Sequence, residues 1–149
     1  MSKYVLFSLF LLLTACTQDE LFSEFHSFSR AEWDKRESVC FEVPVYDISV
    51  PYNVIIELRH NNGYPFRNIW LFVEHQTPSG NMRTDTVDIY LADTYGKWHG
   101  KGIGLHSYSF PYQANVQYPD TGTHVYTMRQ GMRSDVLKGI SDIGLRVSK

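Results

Sequence analysis

Short segments of alternating apolar and polar residues fill the chain from about residue 39 onward. In YNVIIELRH (52–60), the apolar side chains occupy every second position, at Tyr52, Val54, Ile56 and Leu58. A period of two predicts a β-strand with one buried face. Similar segments follow at intervals of about ten residues, separated by turn residues, which is typical of all-β proteins.

Seven or eight mainly antiparallel strands are expected. The segments are 39–46, 52–60, 68–76, 84–93, 105–113, 123–130 and 142–147. The number and spacing of these segments predict an antiparallel β-sandwich of the jelly-roll or immunoglobulin-like kind.

Local patterns add three expectations about these elements. NIWLFVEHQ (68–76) is apolar on both faces and should lie centrally in its sheet. The turns HNNGYP (60–65) and TPSGN (77–81) predict that it forms a three-stranded meander with its two neighbours in sequence. Residues 134–138 are expected to form one or two helical turns that end at Gly139.

The N-terminus reads as an export signal. MSKYVLFSLFLLLTA (1–15) carries one charge, at Lys3, and its apolar run is far shorter than the roughly 20 residues of a membrane-spanning helix. The run ends in Leu13-Thr14-Ala15-Cys16, which resembles a bacterial lipobox. Residues 1–15 are therefore expected to be a lipoprotein signal peptide, with Cys16 as the lipidation site that anchors the chain in a membrane.

Residues 16–38 are interpreted as a lipidated tether that joins the sheet near its end, and residues 39–149 as the sandwich domain. Residue 17 is Thr rather than the Asp that retains some lipoproteins in the inner membrane, which favours the outer membrane. The acidic pair Asp19-Glu20 resembles a short export signal toward the cell surface, so the periplasmic and surface faces both stay open.

Composition restricts the partners and the redox chemistry. Removing the first 15 of 149 residues leaves 134, with 13 of the 14 basic and all 16 acidic residues, so no nucleic-acid footprint is present. Cys40 is then the one thiol that lipid does not occupy, and no internal disulfide is expected. Because it lies in the apolar segment VCFEV, Cys40 is expected to be buried and inert.

No catalytic motif accompanies this fold. The chain contains no HExxH, GxSxG or CxxC, and its six histidines are scattered. His99 and His106 could meet across a hairpin, but a metal site needs three or four converging ligands. Asp85 and Asp88 are an odd number apart and should point to opposite faces of a strand, which disfavours a glycosidase pair. We expect a non-enzymatic protein without cofactor or metal.

GKWHGKGIG (96–104) is the most unusual segment. It fails the phosphate-binding GxxxxGK pattern, because Gly96 to Gly100 is one residue too short and Gly102 stands where a hydroxyl is required. The favoured interpretation is a tight connection between strands, in which glycines permit positive φ or close backbone approach. Tyr95, Trp98 and His99 form the candidate contact loop of this segment, with Trp98 itself expected to pack on the core.

Aromatic residues make up 15% of the chain, including ten Tyr and nine Phe. Most are expected in the core, because a sandwich needs large side chains from both sheets. Exposed aromatic rings would also suit sugar stacking, so a surface glycan-binding lipoprotein is the alternative hypothesis.

Several long segments, together with the lipobox, closely resemble the gliding-motility lipoprotein H (GldH) family of Bacteroidota. They are YPFRNIWLFVEHQTPSG (64–80), DTVDIYLADTYGKWHGKGIG (85–104), PDTGTHVYTMRQGMR (119–133) and LKGISDIGLRV (137–147). The resemblance implies a lipid-anchored cell-envelope protein that is an accessory component of gliding motility and the linked type IX secretion machinery. Its expected partners are the membrane, through Cys16, and other envelope proteins of that machinery. The family supplies no catalytic residues to transfer.

Overall fold

Two four-stranded antiparallel sheets face each other in the computed structural model, which describes residues 19–149. The strands in chain order are β1 (Glu20–Ser27), β2 (Glu32–Asp34), β3 (Val39–Val45), β4 (Tyr52–Asn61), β5 (Asn68–Gln76), β6 (Met82–Tyr90), β7 (Leu105–Val116), β8 (Gly122–Gln130), β9 (Val136–Lys138) and β10 (Ile140–Ser148). A single 3₁₀ turn, Ser29–Ala31, lies between β1 and β2.

The first sheet has the order β1-β10-β4-β7 and the second β3-β8-β5-β6. The short strands β2 and β9 form a separate two-stranded ribbon. Inward side chains from both sheets alternate with outward ones and are fully buried, as in Ile56 of β4 and Leu71 of β5. This shared apolar layer is the main stabilising feature, because each fully buried aliphatic side chain contributes about 1.5–3 kcal/mol.

These observations confirm the all-β sandwich and most of the predicted strands. The inward alternation of 52–60 is present along the whole of β4, and the last strand buries Ile143, Leu145 and Val147. Strand β5 lies between β8 and β6, which confirms its predicted central position in the sheet. Within residues 19–149 there are ten strands rather than seven or eight, because β1, β2 and β9 were not recognised.

The described part of the expected tether is built into the sandwich. Residues 20–27 pair with β10 along their length, and Phe22 is buried in the core. Trp33 of β2 is completely buried, and its ring stacks on Phe28 at 4.6 Å between centroids. The sandwich therefore includes the residues from 20 onward and does not begin at residue 39.

The predicted meander of three strands is wrong for its first member. Strands β5 and β6 form the expected hairpin, but β4 belongs to the other sheet. The connection between β4 and β5 crosses the sandwich, and it is fixed by Tyr64, which is buried and donates from its hydroxyl to the Asn68 carbonyl at 2.7 Å. Local turn residues specify a reversal of direction but not which sheet receives the next strand.

Two further expectations are corrected. Residues 136–138 form strand β9 opposite β2 rather than a helical turn, because Leu137 is buried and pairs with Trp33. Cys40 is exposed rather than buried. Val39 and Phe41 point into the core, so the residue between them points outward, where its Sγ lies 3.4 Å from the Thr127 hydroxyl.

The two ends of the sandwich differ. One end contains Asp19, the first described residue, beside Lys149, and the connections 46–51, 77–81 and 117–121. We call this the proximal end. At the other, the distal end, lie the longer connections 28–38, 62–67, 91–104 and 131–135.

The expected signal peptide 1–15 and lipidation site Cys16 lie outside the described residues. Among residues 19–149, no helix has the length and apolar character needed to cross a membrane.

Candidate functional site

The outer surface of the second sheet exposes a group of large aromatic side chains near the distal end. Phe66, Trp70, Phe72 and Tyr90 form this group, which we call the aromatic face. Trp70 and Phe72 point outward because Ile69, Leu71 and Val73 occupy the inward positions of β5. The side chain of Trp70 remains 40% exposed, although large aromatic side chains are highly buried on average.

A groove of about 410 Å³ crosses this face, lined by Phe66, Asn68, Trp70, Gly131, Met132 and Arg133. The chain following β8 forms one wall, held by a hydrogen bond from the Gly131 N–H to the Trp70 carbonyl at 2.7 Å. A Cβ at residue 131 would lie 3.0 Å from the Phe72 ring and 3.4 Å from the Trp70 Cβ. Glycine therefore lets the backbone pass close to the Phe72 ring and the Trp70 Cβ.

Basic side chains surround the aromatic face. Arg67 lies over the Tyr90 ring at 5.6 Å, and Arg129 lies over Phe72 at 6.0 Å. Arg129 is also paired with Glu74 at 3.1 Å, whereas Arg67 and Arg133 form no ion pair within residues 19–149. The groove thus combines exposed rings with guanidinium groups that have free hydrogen-bond donors.

One polar pair lies beside Trp70. Asn68 donates from Nδ2 to Oδ1 of Asp88 at 2.6 Å, and Asp88 is the direct cross-strand neighbour of Trp70. Amide, carboxylate and guanidinium groups are therefore available next to an exposed indole ring.

The glycine-rich connection is held by hydrogen bonds between its own residues. The carboxylate of Asp93 accepts hydrogen bonds from the backbone N–H groups of Lys97 and Tyr95, each at 2.9 Å, and these bonds lower the pKa of Asp93. Gly102 has φ +129, and a Cβ there would lie 2.0 Å from the Leu105 carbonyl oxygen. The glycines thus provide the positive φ and close approach that the sequence predicted.

The three candidate residues of this loop have different surroundings. Trp98 is partly buried against the core, with its ring 4.4 Å from that of His60. Tyr95 is 95% exposed, and His99 lies against Tyr108 at 6.1 Å between centroids. The loop therefore does not bring the three side chains together into one site.

His106 and His99 do not form a pair. His106 stacks on its cross-strand neighbour His60 at 5.2 Å, and His106 Nε2 lies 2.6 Å from the Asn62 side-chain oxygen. His60 is completely buried, and burial lowers its pKa. Within residues 19–149, His60 Nε2 and His106 Nδ1 have no hydrogen-bond partner.

A second histidine pair lies at the proximal end. His75 Nε2 is 3.0 Å from His124 Nδ1, and His124 Nε2 is 2.9 Å from the Asp120 carbonyl oxygen. The His75 ring stacks on Tyr126 at 4.3 Å. Burial, with a smaller contribution from His124, lowers the pKa of His75 to about 4. The His75 ring is therefore neutral at pH 7.

Carboxylates are also separated. Asp85 points toward the space between the sheets and accepts a 2.5 Å hydrogen bond from the Tyr112 hydroxyl, whereas Asp88 points outward to Asn68. This confirms that the two occupy opposite faces of β6. Across residues 19–149, no group of three or more His, Cys, Asp or Glu side chains is arranged to hold a metal ion.

Sequence reasoning did not identify the aromatic face. The sequence feature that indicates this face is the run from Ile69 to Val73, in which every residue is apolar. That run was interpreted only as a central strand of its sheet, and each sheet of a two-layer sandwich has only one covered face. The additional apolar side chains of β5 therefore lie on the outer surface.

Fold and surface together define a β-sandwich whose most distinctive feature is the exposed aromatic face. The model of the family described as GldH lipoprotein matches residues 20–147. The chain belongs to this lipoprotein family, which confirms the resemblance seen in the sequence.

Two relatives are similar over almost their whole length. The gliding motility lipoprotein GldH of Flavobacterium johnsoniae is 32% identical, over 93% of this chain and 91% of the relative. The gliding motility lipoprotein GldH homolog of Christiangramia forsetii is 30% identical, over 99% and 95%.

Solved structures are more distant. A Yersinia pseudotuberculosis-derived mitogen has a TM-score of 0.35 and 8% identity, over 85% of each chain. A likeness at this level carries no argument about fold or function.

Proposed function

We propose that this protein is a lipid-anchored, non-enzymatic envelope component that supports gliding motility and the linked type IX secretion machinery through protein contacts. Membership of the GldH lipoprotein family supports the process. The observation that carries the mode of action is the exposed aromatic face with its groove beside Trp70.

The chemistry of this face favours a protein partner with apolar side chains and at least one carboxylate. Exposed aromatic and Met side chains are typical of interface centres, and Trp and Arg dominate the binding energy of many interfaces. The free guanidinium groups of Arg67 and Arg133 would bond a carboxylate of the partner.

A complementation experiment tests the role of this face. In the bacterium that carries the gene, a deletion strain would receive the chain with both Trp70→Ala and Phe72→Ala, or with Tyr95→Ala as the matched control. We expect the double variant to accumulate normally but to fail in restoring export of secreted adhesins, and motility if the host glides. The control should restore both. Full restoration by the double variant would refute the proposed contact surface.

Cys16 is the proposed anchor, in the outer membrane. The lipobox register supports it, because the apolar run ends in small residues directly before this Cys. Cys16→Ala should abolish incorporation of a fatty-acid analogue and release the chain from the membrane fraction, because lipid would be its attachment. Continued labelling and membrane fractionation of the variant would show that Cys16 is not the anchor.

Glycan binding is a second candidate, favoured by the Asn68–Asp88 pair beside the exposed Trp70 ring. An aromatic platform next to planar polar groups suits sugar recognition. Calorimetry of the purified protein against soluble envelope polysaccharides tests it, with Trp70→Ala as the control. Binding by the wild-type protein that the variant loses would favour the glycan function over the protein contact.

A further inference from the structure

The position of Cys16 relative to the folded domain restricts how the sandwich can lie on a membrane. Only Thr17 and Gln18 separate Cys16 from Asp19, which hydrogen-bonds through its carbonyl to the Lys149 N–H at the proximal end. Three residues of fully extended chain cover at most about 11 Å. Strand β4, with ten residues, extends about 34 Å toward the distal end. An anchor at Cys16 would therefore hold the proximal end close to the lipid.

The proximal end carries an exposed apolar loop. In the 46–51 connection, the side chain of Tyr46 is 78% exposed and that of Ile48 is 37% exposed. Met82, at the start of β6, is 63% exposed at the same end. None of these three side chains belongs to the aromatic face.

Several polar groups of this loop are hydrogen-bonded within the protein. Asp47 Oδ1 accepts hydrogen bonds from the Ser49 N–H at 2.9 Å and the Ser49 hydroxyl at 2.5 Å. The Asp47 carbonyl accepts a hydrogen bond from the Tyr52 hydroxyl at 2.8 Å, and the Ile48 carbonyl accepts one from Gln117 Nε2 at 3.1 Å. These bonds restrict the shape of the loop and satisfy part of its polar groups.

We propose that the 46–51 loop contacts the lipid surface to which Cys16 is attached, with Tyr46 and Ile48 in the headgroup region. This inference rests on the proposed acylation of Cys16. A tyrosine ring combines an apolar body with a polar hydroxyl and is enriched at membrane interfaces. The short tether holds the loop near the lipid at an effective concentration on the order of mM, so weak intrinsic affinity suffices.

A side-on arrangement is the main alternative, with the edge strand β1 against the lipid. That arrangement would bring the exposed Glu24 to the bilayer, whereas Glu20, next to Asp19, lies near the lipid in either arrangement. Carboxylates at an apolar boundary lose hydration without gaining a partner. The end-on arrangement places Tyr46 and Ile48 there instead, and it directs the aromatic face away from the membrane, toward envelope partners.

Fluorescence quenching tests this arrangement with the full chain. Single labelling sites would be made in a Cys40→Ser background by Tyr46→Cys or Ile48→Cys at the proximal end. Ile103→Cys, in a fully exposed distal position, is the matched control. Glu24→Cys reports the side-on arrangement. Each acylated protein would be reconstituted into phosphatidylethanolamine vesicles that contain lipid with a nitroxide near the headgroup.

We expect positions 46 and 48 to lose about half of their emission and positions 24 and 103 to keep theirs. No quenching at 46 and 48 in an acylated chain that floats with the vesicles would overturn the orientation alone. Quenching at 24 or 103 in place of 46 would also overturn it. A chain without acyl groups on Cys16, by intact mass, would overturn both the anchor and the orientation that depends on it.

Discussion

His75 is a residue whose surroundings make the stability of this fold depend on pH. Its imidazole lies between Tyr126 and His124, and the charged Arg83 nearby further disfavours a second positive charge, whereas Asp85 acts in the opposite direction. Burial is the largest cause of its lowered pKa. The fold therefore holds His75 in the neutral form.

We predict that stability falls as pH decreases from about 6.5 toward 4. In that window the unfolded chain binds a proton at His75 that the folded chain does not, so the free energy of unfolding rises with pH. From pH 7 to pH 4.5 the loss should be about 2 kcal/mol. Urea unfolding across this range measures it.

His75→Gln is the control for this prediction. It should flatten the pH dependence in part, because buried His60 acts in the same direction. An equal slope in wild type and variant would refute the assignment to His75.

Trp98 separates packing from contact in the glycine-rich connection. Because its ring is partly buried against His60 and the core, Trp98→Ala should lower the free energy of unfolding by about 2–4 kcal/mol. Tyr95→Ala, in the same loop, should change it by less than about 0.5 kcal/mol. Denaturant midpoints of the chain without residues 1–16 provide the measurement. An unchanged midpoint for Trp98→Ala would contradict the packing role.

At the scale of elements, β1 completes the first sheet and depends on a close approach to β10. Gly144 lies opposite Phe25, and a Cβ there would be 2.8 Å from both the Glu24 carbonyl oxygen and the Phe25 ring. Glycine thus allows an edge strand to pair tightly beside a buried one.

Gly144→Ala should therefore displace β1. We expect a loss of about 1–3 kcal/mol in unfolding free energy, together with faster hydrogen exchange of the β1 amides. Ser148→Ala, on the same strand, is the control and should have little effect. Unchanged protection of β1 in the Gly144 variant would show that the contact relaxes without displacement.

Element by element, the strands with a clear period of two could be predicted from sequence, and β4 and β10 are examples. Strand β1 could not, because the pairing of Glu20 and Phe22 includes a register shift and its exposed positions include Phe25. Strands β2 and β9 have three residues each, too few for a period. Sheet membership of β4 and β5 depends on pairings between residues distant in sequence, which no local pattern encodes.

The candidate site was only partly predictable for a related reason. The glycine positions of 96–104 follow from local backbone needs, and these appeared as expected. Trp70 and Phe72 have the same local pattern as core residues. Their exposure follows from the two-layer architecture, which leaves the outer face of β5 uncovered.

At the scale of the whole molecule, the first described residue and the aromatic face lie toward opposite ends of the sandwich. Asp19 is at the proximal end, whereas Phe66, Trp70 and Tyr90 lie near the distal end. A lipid anchor at Cys16 would leave the aromatic face accessible to other envelope proteins. Under the proposed function, membrane anchoring and partner contact would therefore take place toward different ends of the sandwich.

Photocrosslinking in intact cells tests this account most directly. A benzophenone amino acid would replace Phe72 on the aromatic face or Tyr95 in the glycine-rich connection, and both side chains are exposed. We predict that position 72 crosslinks to one predominant envelope protein of the gliding or secretion machinery and that position 95 does not. Crosslinking from position 95 alone, or no protein adduct from position 72, would contradict the account.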